Sequence, residues 1–291
     1  MPASPIDALP RPLAIAVHDA GAANMIAAWV DAASEPTEQV IAAGPALTIW
    51  RARFGDDVAI TDSTDALNGF ACVLSGTGWA SDLEHRARIA AARGGIRSVA
   101  VIDHWVNYSM RFEREGVVQL PDEIWVGDGD AARIATEVFP SVAVWQHPNL
   151  YLAEQALYAG PVPDDGDVLF LLEPARSDWG KDAPGEFQSL DYFMEQREAA
   201  GIPATTTVRV RPHPSDPAGK FDEWVSAHPG TTLDASHDMG SALAQARWVV
   251  GMNSAGLVIA LAAGRSVFSA LPPHAPPCVL PHAAITRLCD I

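Results

Sequence analysis

Four short segments carry the residue types that do chemistry, and each follows an apolar run. His18-Asp19-Ala20-Gly21-Ala22-Ala23-Asn24 puts an imidazole, a carboxylate and an amide around small residues. Ligands of open α/β sheets gather at the carboxyl ends of strands, where helix N-termini offer free N–H groups. Asp19 reads equally as a plain helix cap. Ser75-Gly76-Thr77-Gly78-Trp79 offers hydroxyls and glycines suited to phosphate or sugar hydroxyls, or simply to a turn. Asp103-His104-Trp105-Val106-Asn107-Tyr108 sets a carboxylate beside aromatic rings. That combination suits proton transfer on a sugar hydroxyl with an apolar surface for the ring. Arg111 lies downstream to balance the charge of Asp103.

The fourth segment, Arg209-Val210-Arg211-Pro212-His213-Pro214, is the sharpest. Prolines on either side stiffen the backbone at His213. An imidazole fixed there can donate to a phosphate oxygen or protonate a leaving group near neutral pH. Further on, Gly251-Met252-Asn253-Ser254-Ala255-Gly256 opens an apolar helix with small polar residues, a start suited to cradling phosphate.

Uninterrupted apolar runs must position these segments. Leu13–Val17, Cys72–Ser75 and Ser98–Ile102 do not alternate with polar residues, which marks strands buried on both faces of a parallel sheet. Helix-period stretches separate them, so the order is that of βαβ units. The proline-, glycine- and aspartate-rich end of residues 151–166 reads as a linker, after which the pattern restarts. The expectation is two Rossmann-like α/β domains, residues 1–150 and 167–291, with an interdomain cleft.

Composition limits the partners. Of 291 residues, 48% are hydrophobic, and 36 acidic against 19 basic side chains give a net charge of −17. That balance disfavours nucleic acid and anionic membrane surfaces. Three scattered cysteines fit reduced thiols better than a disulfide framework. The first residues lack the pattern of a signal peptide, and no apolar stretch is long enough to span a bilayer, so a cytoplasmic protein is expected. GxGxxG is absent, which disfavours a dinucleotide cofactor. No cofactor and no metal are expected, and Asp128-Gly129-Asp130 reads as a helix cap rather than a metal-binding DxD.

The Arg-Pro-His-Pro segment followed by Asn253-Ser254-Ala255-Gly256 resembles the HP and S motifs of GT-B glycosyltransferases. Bacterial polysialyltransferases and Kdo transferases, which use CMP-sugars, carry such motifs. CDP-glycerol-type polymerases and non-hydrolysing UDP-N-acetylglucosamine 2-epimerases have a similar C-terminal arrangement. The resemblance implies a metal-independent glycosyltransferase moving a sugar, a nonulosonic acid such as Kdo or a sialic-acid relative, from a nucleotide-sugar donor, CMP-linked, to a surface-glycan or protein acceptor. It places the nucleotide near Arg211, His213, Pro214, Glu173, Asn253, Ser254 and Gly256. It leaves the acceptor to the N-terminal half, around His18, Asn24, Ser75, Thr77, Trp105 and Asn107, with Asp103 or Asp19 as the base. The C-terminal helix usual in this fold is reduced here to Ile285–Ile291. An epimerase shares the architecture but needs further acids, and Asp103 has no evident companion in the sequence. A non-catalytic two-lobed binding protein is the third alternative.

Overall fold

The computed structural model describes residues 4–291, which divide into two compact units with the boundary between Tyr151 and Leu152. In the first unit the elements run β1 (Leu13–Val17), α1 (Ala20–Asp31), β2 (Gln39–Ala42), α2 (Gly44–Phe54), β3 (Ile60–Thr61), β4 (Cys72–Ser75), α3 (Leu83–Gly94) and β5 (Arg97–Ile102). A small hairpin, β6 (Glu113–Arg114) and β7 (Val117–Val118), precedes β8 (Glu123–Val126), α4 (Gly129–Val138) and β9 (Ala143–Gln146), and α5 (Leu150–Ala159) crosses the boundary into the second unit. Seven strands form one parallel sheet in the order β3-β2-β1-β4-β5-β8-β9.

Alternate residues of β1 explain why its run is wholly apolar. Leu13, Ile15 and Val17 pack with α1, including Met25, Ile26 and Trp29. Ala14 and Ala16 pack with Leu83, Ala87 and Ala91 of α3. Both faces of the sheet are therefore covered by helices.

The second unit continues with β10 (Asp167–Leu171), α6 (Gly185–Gln196), β11 (Val208–Arg211), α7 (Asp222–Ala227), β12 (Thr231–Leu233), α8 (Met239–Ala244), β13 (Ala246–Gly251), α9 (Ala255–Ala262), β14 (Ser266–Ser269) and β15 (Ile285–Arg287). Its six strands are also parallel, in the order β12-β11-β10-β13-β14-β15. Phe170, Phe193, Val210, Phe221 and Phe268 are among the buried residues of its core.

In both sheets the strand order reverses beside the first strand of the unit. These are the points, β1/β4 and β10/β13, where ligands of doubly wound sheets bind.

Two sequence expectations about elements change. Most of the segment read as a linker is α5, because Leu150–Ala159 (LYLAEQALYA) is rich in good helix formers and the breaker residues begin only at Gly160. Ile285–Arg287, read as the remnant of a C-terminal helix, is instead the edge strand β15, followed by a short 3-10 turn. Asp128 is the N-cap of α4 as expected, its side chain accepting the Ala131 N–H at 2.8 Å. No helix of the described residues is long and apolar enough to cross a membrane.

Candidate functional site

At the carboxyl end of the first sheet, three turns converge on the first turn of α1. His18 and Asp19 end β1, and the imidazole Nδ1 lies 2.7 Å from Asp19 Oδ1. The ring lies over Gly44, where any Cβ would collide with it, and Gly44 has φ +57°. Asp19 in turn fills the space above Gly78, and a Cβ there would strike its carboxylate. Asp103, just past β5, does the same to Gly21 of α1. The glycines at these three positions are thus required by the imidazole and the two carboxylates that press on them.

Asp103 is held from behind. Arg111 Nη1 donates to its Oδ1 at 3.1 Å and to Thr77 Oγ1 at 3.2 Å, while Nε donates to Val106 O at 3.1 Å. The Arg111 guanidinium is buried and also lies 5.3 Å from the ring centroid of Trp79. The charge balance expected between Arg111 and Asp103 is therefore made, with the guanidinium itself held by Thr77, Val106 and Trp79.

A further acid joins this cluster that sequence reading missed. Glu84, on the first turn of α3, is fully buried and accepts the His18 backbone N–H at 2.9 Å. Four residues on, Arg88 is also fully buried, donating to Ser75 Oγ, Gly76 O and Arg111 O at 3.2, 2.9 and 3.2 Å. The available signal was a Glu84–Arg88 pair, at (i, i+4) spacing, directly after a glycine-rich turn. It was indistinguishable from the exposed pairs common on helices.

Not every expected contact residue faces outward. Ser75 and Thr77 are fully buried, the first bonded to Arg88 and the second donating to Val101 O at 2.9 Å. Both brace the turn from beneath. Trp105 is buried and donates through Nε1 to Asp128 Oδ2 at 2.9 Å, lining a small hollow beside Asp103. Asn24 is half-buried on α1. Asn107 is exposed and has φ +60°.

The second sheet presents different chemistry at its carboxyl end. His213, beyond β11, is exposed, and its Nδ1 accepts the Ser215 N–H at 3.1 Å and contacts Ser215 Oγ at 2.7 Å. With Nδ1 an acceptor, the ring proton resides on Nε2, which is free to donate outward. Crowding by the protein lowers the imidazole pKa below its ordinary value; Arg176 and Lys220 add to that effect and Asp216 opposes it. His213 is therefore a neutral N–H donor at pH 7.

Glu173, past β10, accepts the Asn253 N–H at 2.5 Å, and burial raises its pKa above the ordinary value. Asn253 Oδ1 accepts from Val279 N–H at 2.9 Å. Ser254 is the N-cap of α9, its Oγ accepting the Gly256 N–H at 3.1 Å. Gly256 is packed so closely that a Cβ would come within 2.7 Å of Leu171 Cδ1. His213 and the start of α9 lie two strands apart at the same sheet end, roughly 10 Å by the ordinary strand spacing.

Arg211 is turned aside from this group. It pairs with Asp234 and donates to Ser236 O at 2.9 Å. Pro214 is exposed beside His213. Among the described residues, no group of three or more His, Cys, Asp or Glu side chains is arranged to hold a metal ion.

No family model and no curated protein matches this chain. Solved structures do. The UDP-GlcNAc 2-epimerase from Methanocaldococcus jannaschii superposes with a TM-score of 0.58 at 11% identity, covering 88% of this chain and 83% of that one. The UDP-GlcNAc 2-epimerase from Neisseria meningitidis, bound to UDP-GlcNAc, gives 0.55 at 14% identity, covering 84% and 78%. An S. aureus MnaA–UDP co-structure gives 0.58 at 12% identity, covering 88% and 78%. At such identities the likeness is one of fold, and it agrees with two Rossmann-like α/β domains of the GT-B type.

Proposed function

We propose that this chain is a nucleotide-sugar enzyme that transfers a sugar from a nucleotide-activated donor to a hydroxyl acceptor. The observation that carries this reading is the chemical contrast between the two strand ends. The first gathers proton acceptors, Asp103, Asp19 and His18. The second offers the neutral Nε2–H of His213 and the capped start of α9, groups that bind an anion. In the reaction the acceptor oxygen bonds to the anomeric carbon as the bond from that carbon to the nucleotide phosphate breaks. Asp103 or Asp19 takes the hydroxyl proton, and the leaving phosphate is received by His213 and α9. A cytidine donor is supported by the Arg211–Pro214 and Asn253–Gly256 motifs, and the acceptor is a glycan or protein hydroxyl.

A second reading, a sugar-nucleotide epimerase, gains support from Glu84. The sequence offered Asp103 no companion acid, whereas the fold brings Asp103, Asp19 and Glu84 to the turns around one helix start. An epimerase needs such groups to remove and return a proton while the nucleotide leaves and rejoins.

Calorimetric titration with CMP, CDP, UDP and GDP tests both. Nucleotide binding is expected, and His213→Ala should weaken it by about 1.5–3 kcal/mol, the scale of one charge-assisted hydrogen bond. A preference for CMP supports transfer; a preference for UDP favours the epimerase. Free nucleotide released from the donor only when acceptor is present separates them further. If none of the four nucleotides binds, both readings fail.

A further inference from the structure

Glu84 is the buried ionisable group that the reaction above leaves unused. Its carboxyl joins three chain segments. Oε1 accepts the His18 N–H at 2.9 Å, and a Cβ on Gly76 would strike the same oxygen while coming within 2.9 Å of the Ala22 methyl. Oε2 is shut off from solvent and meets no donor among the described residues. A buried carboxylate with a single N–H partner is poorly compensated.

The charges facing it do not repair this. Arg88, one turn along α3, directs its guanidinium to Ser75, Gly76 and Arg111. Asp19 approaches from the end of β1, already in contact with His18, and Asp103 from the end of β5, already paired with Arg111. His85, beside Glu84 on α3, is itself held below the ordinary imidazole pKa by burial and by Arg88 and Arg114. Burial first, then the negative Asp19 and Asp103, push the Glu84 carboxyl up to about 7, against the pull of the His18 N–H and Arg88.

We propose that Glu84 is a proton-holding positioning residue: with its proton in place it anchors the His18 backbone and adds no third negative charge beside Asp19 and Asp103. The role of those two acids rests on the nucleotide-sugar reading; the proton on Glu84 does not. When Asp103 takes a proton from a substrate hydroxyl, the hydroxyl O–H breaks and a carboxyl O–H forms. One of the two negative neighbours of Glu84 is then neutralised, and its own proton is held less tightly.

The test is a ¹³C-carboxyl NMR titration of the full chain. The Glu84 resonance is expected to titrate near neutral pH, apart from the surface glutamates. In D103N, which removes one negative neighbour, its midpoint should fall by roughly half a pH unit or more. A Glu84 that titrates with the surface glutamates, or whose midpoint ignores both D103N and D19N, overturns the proposal. Assignment by through-bond correlation in the wild-type chain keeps the first measurement decisive even if a variant fails to fold.

Thermal unfolding gives an independent readout. The folded carboxyl keeps a proton that the unfolded chain releases above about 4.5, so its contribution to stability is lost as pH rises from there through about 7. E84Q lacks this loss. Its Tm relative to wild type should therefore rise between pH 5 and pH 8, and a pH-independent difference would contradict the proposal. Neither measurement uses a nucleotide, so their failure is distinct from failure of the nucleotide titration.

Discussion

Replacing Arg209 with methionine is expected to lower the unfolding free energy of the second unit by about 3–5 kcal/mol, the cost of breaking a buried ion pair from one side. Arg209 begins the segment that reads in sequence as phosphate-binding, but its side chain serves the fold. Its Nε and Nη2 grip both oxygens of Asp167 at 2.5 and 3.0 Å, Nη1 donates to Asp234 at 2.5 Å, and Nη2 also reaches Ala242 O at 2.7 Å. The Asp234 side chain is only 1% exposed, so it cannot turn to water once Arg209 is gone. Methionine replaces the stem but not the fork, leaving Arg211 and Ser236 as the remaining partners. For a unit of this size the loss corresponds to a fall in Tm on the order of 10 °C. Urea unfolding should show a lower midpoint at unchanged slope. Arg209→Lys, which keeps the charge without the fork, should fall between the two.

The same network predicts acid sensitivity. Burial alone would raise the Asp234 carboxyl, but Ser236, Arg211 and Arg209 more than offset it, and its pKa lies below the ordinary carboxylate value. The stability it supplies is therefore present above the unfolded value near 3.8 and lost as pH falls through the lower folded one. Arg209→Met should lose part of this acid limb together with its stability. If the variant unfolds like wild type at neutral pH, the pairs contribute nothing net and the argument fails.

The central strands were legible because burial on both faces removes polar residues from them: Leu13–Val17 and Ser98–Ile102 announce themselves by that alone. The edge strand β15 did not, since Thr286 and Arg287 are exposed and three residues carry no period. The candidate site was legible where chemistry follows directly after a strand, as at Asp19, Asp103 and His213. It was illegible where a helix delivers the group. Glu84 lies in a helix whose charged residues read as a solvated face, and only the packing of α3 against β1 and β4 shows that Glu84, His85 and Arg88 point inward. The converse also holds. Ser75 and Thr77 have the right types at the right place, yet the arginines beneath them claim their hydroxyls. Spacing along a chain identifies the strand end, but which side of the turn a hydroxyl faces depends on residues 13 and 34 positions away.

Asp103→Asn is the substitution expected to cost the most activity, lowering kcat about 10²- to 10⁴-fold, the usual contribution of a positioned general base. The change is nearly isosteric, so the fit against Gly21 survives and the amide oxygen can still accept from Arg111. What disappears is the capacity to take a proton. Binding of nucleotide, assigned to the second unit, should be unchanged by calorimetry, and the KM for the donor should move little. That split between kcat and KM separates a lost base from a disturbed fold. Arg111→Met supplies the complementary comparison: Asp103 keeps its charge but loses its orientation, and the buried ends of Thr77 and Val106 lose their donor. Such a variant should be destabilised as well as slow, whereas Asp103→Asn, which keeps the hydrogen bond to Arg111 while removing its counter-charge, should be slow with a smaller fall in Tm. If Asp103→Asn retains full turnover, the proton goes elsewhere. His18–Asp19, the 2.7 Å pair one turn away, is then the base, and Asp19→Asn should show the loss instead.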